Sequence, residues 1–303
     1  MRPMWHGRYS MRLRAPLVAL VFGVSFGSTG SQSAPIPPTT CPADATLADL
    51  VAGSDLVLVG RMDVPKQRLL EESTKPSPDY LEIPIQIGGV VKGANVENAT
   101  VRFYPRDAAY KPSNDSVLHL AGTPAILFLT RVDDGPVGLY FAGYSPDALK
   151  PATDQNLEAA REEVSRQAKI INSWRVDTTL PRFGEVRALI ARLGRVSGDE
   201  QQHVFDQLER LGEEAVPAII SQMDDRRPLQ TQAISLVNHA KDAFEGMRHY
   251  GPKQVVDGLD AVLNQITGES FGSITNGGSD RQRAATVAGW RVYAADLACK
   301  AAR

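Results

Sequence analysis

The stretch LEIPIQIGGVV, residues 81–91, alternates Leu81, Ile83, Ile85 and Ile87 with the residues between them. A period of two puts these four side chains on one face of a pleated strand, the pattern of a strand with one buried side. LVLVGRM (56–62) reads as a strand before it, and Ala99–Tyr104, Ala125–Thr130 and Val137–Tyr144 as three strands after it. TLADLVAGSD, ahead of them all, reads as a short helix. Pro, Gly, Asn and Asp fill the connections, and DDGP at 133–136 reads as a hairpin turn. Five strands predict a small closed β-barrel of the oligonucleotide/oligosaccharide-binding (OB-like) kind over residues 41–146, with a sandwich as the competing arrangement.

Beyond residue 146 the period changes. Residues 147–181 read as a linker and a long helix, with Leu157, Ala160, Val164 and Ala168 on one face. Thereafter Val186, Leu189, Ile190 and Leu193 recur at helical spacing, and Val216, Ile219, Ile220 and Met223 repeat it thirty residues later. Val256, Leu259 and Leu263 repeat it again, with Asp260 breaking one position. Each is followed by a second amphipathic segment: Val204/Leu208/Leu211, then Ile234/Val237, then Val287/Trp290/Tyr293/Leu297. Residues 182–303 are therefore expected to form an α-solenoid of three helical hairpins. Helix ends agree: Ser197/Glu200 and Ser279/Gln282 fit capping boxes, Gly212 suits a helix stop, and Pro217 a first turn. The fold class expected is α+β and multidomain.

Residues 1–34 carry the marks of a cleavable secretory signal. Arg2, Arg8, Arg12 and Arg14 form a basic start, 15–26 an apolar core too short to span a bilayer, and GSTGSQSA supplies small residues for cleavage. Met11 is an alternative start. The expected location is the periplasm or the extracellular space, with no membrane insertion after cleavage. Without those four Arg the chain keeps 29 basic against 35 acidic side chains, about −6 overall. That balance argues against nucleic acid as a partner. A Pro-rich leader, residues 35–40, precedes Cys41. Cys41 and Cys299 are the two cysteines, and in an oxidising compartment they either pair or stand as two thiols.

The segment LGEEAVPAIISQMDDRRPLQTQAISLVNHA (211–240) resembles a HEAT repeat, through its leading Leu-Gly, its Val-Pro-Ala helix start, its acidic inter-helix turn and a second helix. Residues 263–290 also look like the tail of some bacterial exported HEAT-like proteins. That resemblance implies a scaffolding surface and no chemistry. The first half is similar to the netrin-like domain of tissue inhibitors of metalloproteinases, through Cys41, SDLVLVGRM (54–62), VVKG (90–93) and AILFLT (125–130). In that family a mature N-terminal cysteine chelates the protease zinc. Here Cys41 lies several residues beyond the expected cleavage, and Pro42-Ala43 follows it in place of a Cys-x-Cys.

Catalytic and cofactor motifs are missing from the sequence. His119, His203, His239 and His249 lack HExxH-type spacing, no GxSxG elbow occurs, and GGVVKG and TNGGSD lack the setting of a phosphate cradle. No catalytic, cofactor-binding or metal-ligating residue is assigned, and no cofactor. Tyr104 and Tyr140 are candidates for an exposed aromatic platform on one barrel face. The function expected is an exported non-catalytic protein that binds or scaffolds a protein partner. The alternatives are a metalloprotease inhibitor acting through the barrel and Cys41, and a hydrolase or carbohydrate-binding protein with a cleft between the halves.

Overall fold

Five strands turn one set of side chains inward and so become a barrel: β1 (Leu56–Met62), β2 (Leu81–Lys92), β3 (Ala99–Phe103), β4 (Pro124–Arg131) and β5 (Leu139–Phe141). This arrangement comes from a computed structural model that describes residues 41–74, 80–104, 111–132, 135–142, 145–239, 245–272 and 274–301. The expected secretory signal and leader, the first half of the expected DDGP turn and the last two residues of the strand expected at Val137–Tyr144 lie outside the described residues. The strand order is β1-β2-β3-β5-β4, and β4 pairs back onto β1, so the sheet closes. Neighbours are antiparallel except β3 and β5, which run parallel. The closed five-stranded barrel holds, and the sandwich does not. A short sixth strand, β6 (Leu149–Pro151), lies against β4.

Closure needs one close approach. A Cβ on Gly60 would sit 2.7 Å from Ile85 Cγ2 and 2.9 Å from the Gln86 carbonyl, so only glycine lets β1 and β2 pair there. The interior holds Leu58, Met62, Ile83, Val101, Leu127 and Tyr140. Two helices absent from the sequence reading, α2 (Lys66–Thr74) and α3 (Lys111–Leu120), add Leu69, Val117 and Leu120 to that core.

Helices cover one side of the barrel. Val57, Ile126 and Phe128, outward on β1 and β4, are buried with Leu47 and Val51 of α1 (Ala45–Gly53) and Ala160 of α4 (Asp154–Ser173). The long helix α4 thus packs on the barrel. Lys92, at the end of β2, donates to the carbonyls of Val51 at 2.5 Å and Ser54 at 2.7 Å, capping the C-terminus of α1. Burial pushes its amine down to about 8, against the opposing pull of Asp55.

The helical part begins as expected, with the hairpin of α5 (Phe183–Arg192) and α6 (Gly198–Arg210). Ser197 is the N-cap of α6, although its side chain makes no capping bond. Gly212 follows with φ 66°, and a single 3-10 turn leads into the short α7 (Val216–Ile220) with Pro217 in its first turn. The second hairpin then departs from expectation. Ile234 and Val237, read as one helix face, lie on strand β7 (Ile234–Val237), which pairs with β8 (Met247–Tyr250). Residues 182–303 are therefore not three consecutive helical hairpins.

The cause lies on α6. Gln201 donates to the Thr231 carbonyl at 2.6 Å and accepts from the Thr231 N–H at 3.1 Å. Gln202 brackets Ser235 in the same way, at 2.7 Å and 2.9 Å. Two amide side chains thus satisfy extended backbone that a helix would have satisfied internally. The buried pair is Ile234 and Leu236, a period of two, while Val237 is exposed. The last two helices, α8 (Val255–Thr267) and α9 (Asp280–Ala301), match the third expected pair. Ser279 and Gln282 form the reciprocal bonds of a capping box before α9, at 2.5 Å and 3.3 Å.

Barrel and helices form one connected body. Arg166 on α4 binds Glu163 at 2.8 Å and reaches Asp296 of α9 at 2.7 Å, while Gln167 donates to the Ala48 carbonyl of α1. Burial works against the charge on Arg166, but the bonds to both carboxylates outweigh it and raise its pKa. Arg281 of α9 binds Asp55 beside β1 at 2.7 Å.

Candidate functional site

With β1, β4 and the far end of β2 packed against α1 and α4, the outer surface of the first half of β2 and of β3 is where partners can reach the barrel. The alternation that buries Ile83 and Ile85 turns Glu82, Pro84 and Gln86 outward. On β3 the same logic buries Val101 and Phe103 and turns Thr100, Arg102 and Tyr104 outward. Glu82 and Arg102 stand opposite each other in register, and their side chains meet at 2.9 Å. The Arg102 guanidinium also lies over the Tyr80 ring, 4.2 Å from its centroid, a cation–π contact. Tyr80 and Tyr104 pack with centroids 6.1 Å apart and planes inclined at 58°. The bond to Glu82, and after it the one to Tyr104, raises the pKa of Arg102 further.

The platform is held from behind. Asn114 of α3 is buried, and its amide donates to the Tyr104 carbonyl at 2.6 Å, pinning the end of β3. Alongside, Arg61 of β1 donates to Gln86 through Nε at 3.1 Å and Nη2 at 2.5 Å, continuing the polar strip along β2. Tyr80 is 41 % exposed, large for an aromatic held by two neighbours. Such a surface can stack against a flat apolar face while offering a paired donor and acceptor beside it.

Tyr104 and Tyr140 do not share this face. Tyr140 is 7 % exposed and belongs to the barrel core, and burial pushes its phenol up. Its parallel register partner is the inward Val101, so the outward residue of β5 is Phe141, level with Arg102. Adjacent strand residues face opposite ways, and a strand of three residues carries too little pattern to choose between them. Tyr80, Glu82 and Arg102 were missed as well, although the alternation of LEIPIQI already turns even-numbered positions outward.

Cys41 and Cys299 are joined by a disulfide with Cα atoms 5.7 Å apart, which ties the start of the described chain to the end of α9. Between α1 and α9, at the junction of the two halves, lies a cavity of about 30 Å³ lined by Ala48, Asp49, Phe271, Tyr293 and Asp296. It has room for one or two waters and none for an organic substrate. Among the described residues, no group of three His, Cys, Asp or Glu side chains is placed to hold a metal ion, and no helix is long and apolar enough to cross a membrane. His203 is exposed and meets Gln207, and His239 meets Glu209 at 3.1 Å. Neither joins the aromatic surface.

Comparison with protein-family profiles, with curated proteins and with solved structures finds no match to this chain.

Proposed function

We propose that this chain is an exported, non-catalytic binding protein that holds its partner on the outer face of β2, β3 and β5. The single observation carrying this is the cluster of Tyr80, Arg102 and Glu82 with Tyr104, on the half of the barrel that its own helices leave uncovered. Aromatic and arginine side chains dominate the energetics of recognition surfaces, because they contribute large contact area with few rotatable bonds. The strand order, with β3 and β5 parallel and α3 between β3 and β4, supports the OB-like reading. In such barrels the face of the second and third strands is a recurrent ligand surface. The Cys41–Cys299 bond is compatible with an oxidising compartment and so with export. The helical part then acts as a rigid base, and the HEAT-like reading rests on the α5–α6 hairpin and the α8–α9 pair.

The test compares binding of envelope extract by the mature chain and by the Tyr80→Ala/Arg102→Ala variant, with thermal melts to confirm that both are folded. The expected result is loss of the retained fraction in the folded variant. Equal retention by both chains would overturn the reading.

A further inference from the structure

We propose that the outer edge of β8 is a strand-addition site for an extended acidic segment of a partner protein, a second binding surface separate from the barrel face. The direction of each main-chain group follows from the register. The N–H of Asn238 donates to the Gly246 carbonyl at 3.0 Å, so residues 238 and 246 form a hydrogen-bonded pair. Back along the register, Leu236 with Arg248 and Ile234 with Tyr250 are pairs of the same kind. Ser235 with His249, and Val237 with Met247, are then the alternate pairs that exchange no main-chain bonds. Gln202 agrees with this phase, because it holds the Ser235 N–H and carbonyl on the side of β7 away from β8. The N–H and carbonyl of Met247 and of His249 therefore point outward from β8.

Those four groups stand at an open edge. The sheet consists of β7 and β8 alone, and Met247, Arg248 and His249 are all exposed. Among the described residues, nothing is bonded to the outward N–H and carbonyl of Met247 and His249. The neighbouring edge positions are treated differently. Gly251, next in the outward series, gives its N–H to the Asn276 side chain at 2.7 Å, and Gln202 satisfies Ser235 on the opposite edge. Side chains thus close the edge main chain at both of those places and leave Met247 and His249 to an incoming strand. Main-chain bonds of this kind supply the affinity when a sheet edge takes up an extended chain.

The surrounding side chains define what fits. On one face of the hairpin Val237 and Met247, 44 % and 40 % exposed, form an apolar step. On the other, α6 and α8 pack on β7 and bury Ile234 and Leu236, yet Arg248 beside Leu236 stays exposed. An added strand sets alternate side chains against these two faces. Apolar residues suit the face of Met247, and an acidic residue suits the face of Arg248. Arg248 and Lys253 have no carboxylate partner among the described residues, and Glu245 is the one acid in 245–253. A positive edge admits an acidic segment and repels a basic one. It also disfavours a second copy of this chain: the antiparallel register that uses all four outward groups sets Arg248 directly opposite its counterpart.

The experiment titrates the mature chain into labelled nonapeptides and reads fluorescence anisotropy. One peptide alternates valine with glutamate, and one alternates valine with lysine. Two more are the acidic peptide N-methylated at its valines or at its glutamates, which strips the N–H groups from one edge or the other. Micromolar binding of the acidic peptide is expected, with loss in one of the two methylated forms and in the lysine form. Arg248→Glu and His249→Pro are each expected to weaken binding about tenfold or more, the scale of one lost charge-assisted or main-chain hydrogen bond. Both positions are exposed and the His249 N–H makes no bond to β7, so melting temperatures near that of the parent are expected. If His249→Pro does not fold, Arg248→Glu and the methylated peptides still decide. Val137→Ser, at an 89 % exposed site on the barrel, is expected to bind like the parent chain. The proposal is overturned if the acidic peptide does not bind, if both methylated forms bind undiminished, or if the lysine form binds equally well. A concentration-dependent dimer that Arg248→Glu or His249→Pro dissociates overturns it too, since a second copy then occupies the edge.

Discussion

The indole Nε1 of Trp290 donates a hydrogen bond of 2.7 Å to the Asp260 carboxylate, with both residues almost fully removed from solvent. Asp260 is the residue that breaks the apolar repeat of α8, and the bond explains how a carboxyl group is tolerated there. Burial pushes Asp260 up to about 7, and the nearby Asp257 adds to the rise, while Trp290 and a backbone bond from Ile274 oppose it. Arg283 faces Asp257 from α9 and neutralises it, at 2.7 Å.

A pH dependence follows from Asp260. In the unfolded chain its carboxyl group titrates near 4, so between about 4 and 7 the folded protein holds a proton that the unfolded chain has released. Stability from this group is full at the acid end and is lost as pH rises through about 7. The Asp260→Asn variant should therefore gain on the parent by roughly 2–3 kcal/mol between pH 5 and pH 8. Urea unfolding of both chains at the two pH values checks it, and parallel behaviour would refute the assignment.

Arg283 and Asp257 form a buried two-pronged pair, and Asp257 also accepts from the backbone N–H groups of Lys253 and Gln254 at the start of α8. Arg283→Met leaves that carboxylate buried without its counter-charge. A loss of about 3–5 kcal/mol is expected in chemical denaturation at pH 8.

The Cys41–Cys299 bond spans a sequence separation of 258 residues. On the chain-entropy account, closing a loop of that size restricts the unfolded state by about 5.6 kcal/mol, and delivered values are commonly smaller. The Cys41→Ser/Cys299→Ser double variant should lose about 2–5 kcal/mol in urea unfolding. Adding reductant should shift the parent chain to match it and leave the variant unmoved.

Neighbouring residues on β5 should behave oppositely. Tyr140→Ala empties part of the barrel core and should cost about 3–5 kcal/mol, in line with large aromatic truncations. Phe141→Ala, on the outer side, should leave the melting temperature within a few degrees and weaken partner binding. Thermal melts and calorimetry on the two variants separate the roles.

How much of this was legible beforehand varies by element. LVLVGRM and the run at 125–130 were readable as short continuous apolar runs, both faces of β1 and β4 being buried, whereas the alternation at the start of 81–91 was readable because burial on one side imprints a period of two on the strand. The helices around Val186, Val204, Val256 and Trp290 were readable for the same reason at a different period. The segment at 234–237 misled because Ile234 and Val237 fit a helical spacing as well as they fit a strand. Its conformation was decided by Gln201 and Gln202, some thirty residues earlier, whose amides occupy its backbone. The platform was half legible: Tyr104 was named, but its companions are set by strand register.

Local pattern was enough to place the five barrel strands, the long helix and the helices α5, α6, α8 and α9, and to mark several of their ends, since periodicity and end chemistry are local. Tertiary structure alone decided that the barrel closes through β1 and β4, that Phe141 and not Tyr140 faces outward, and that Cys41 meets Cys299. Each of those depends on register or contact between segments far apart in the chain. A one-residue slip in register exchanges the two faces of a strand while leaving its periodicity intact, and so no local pattern carries that information.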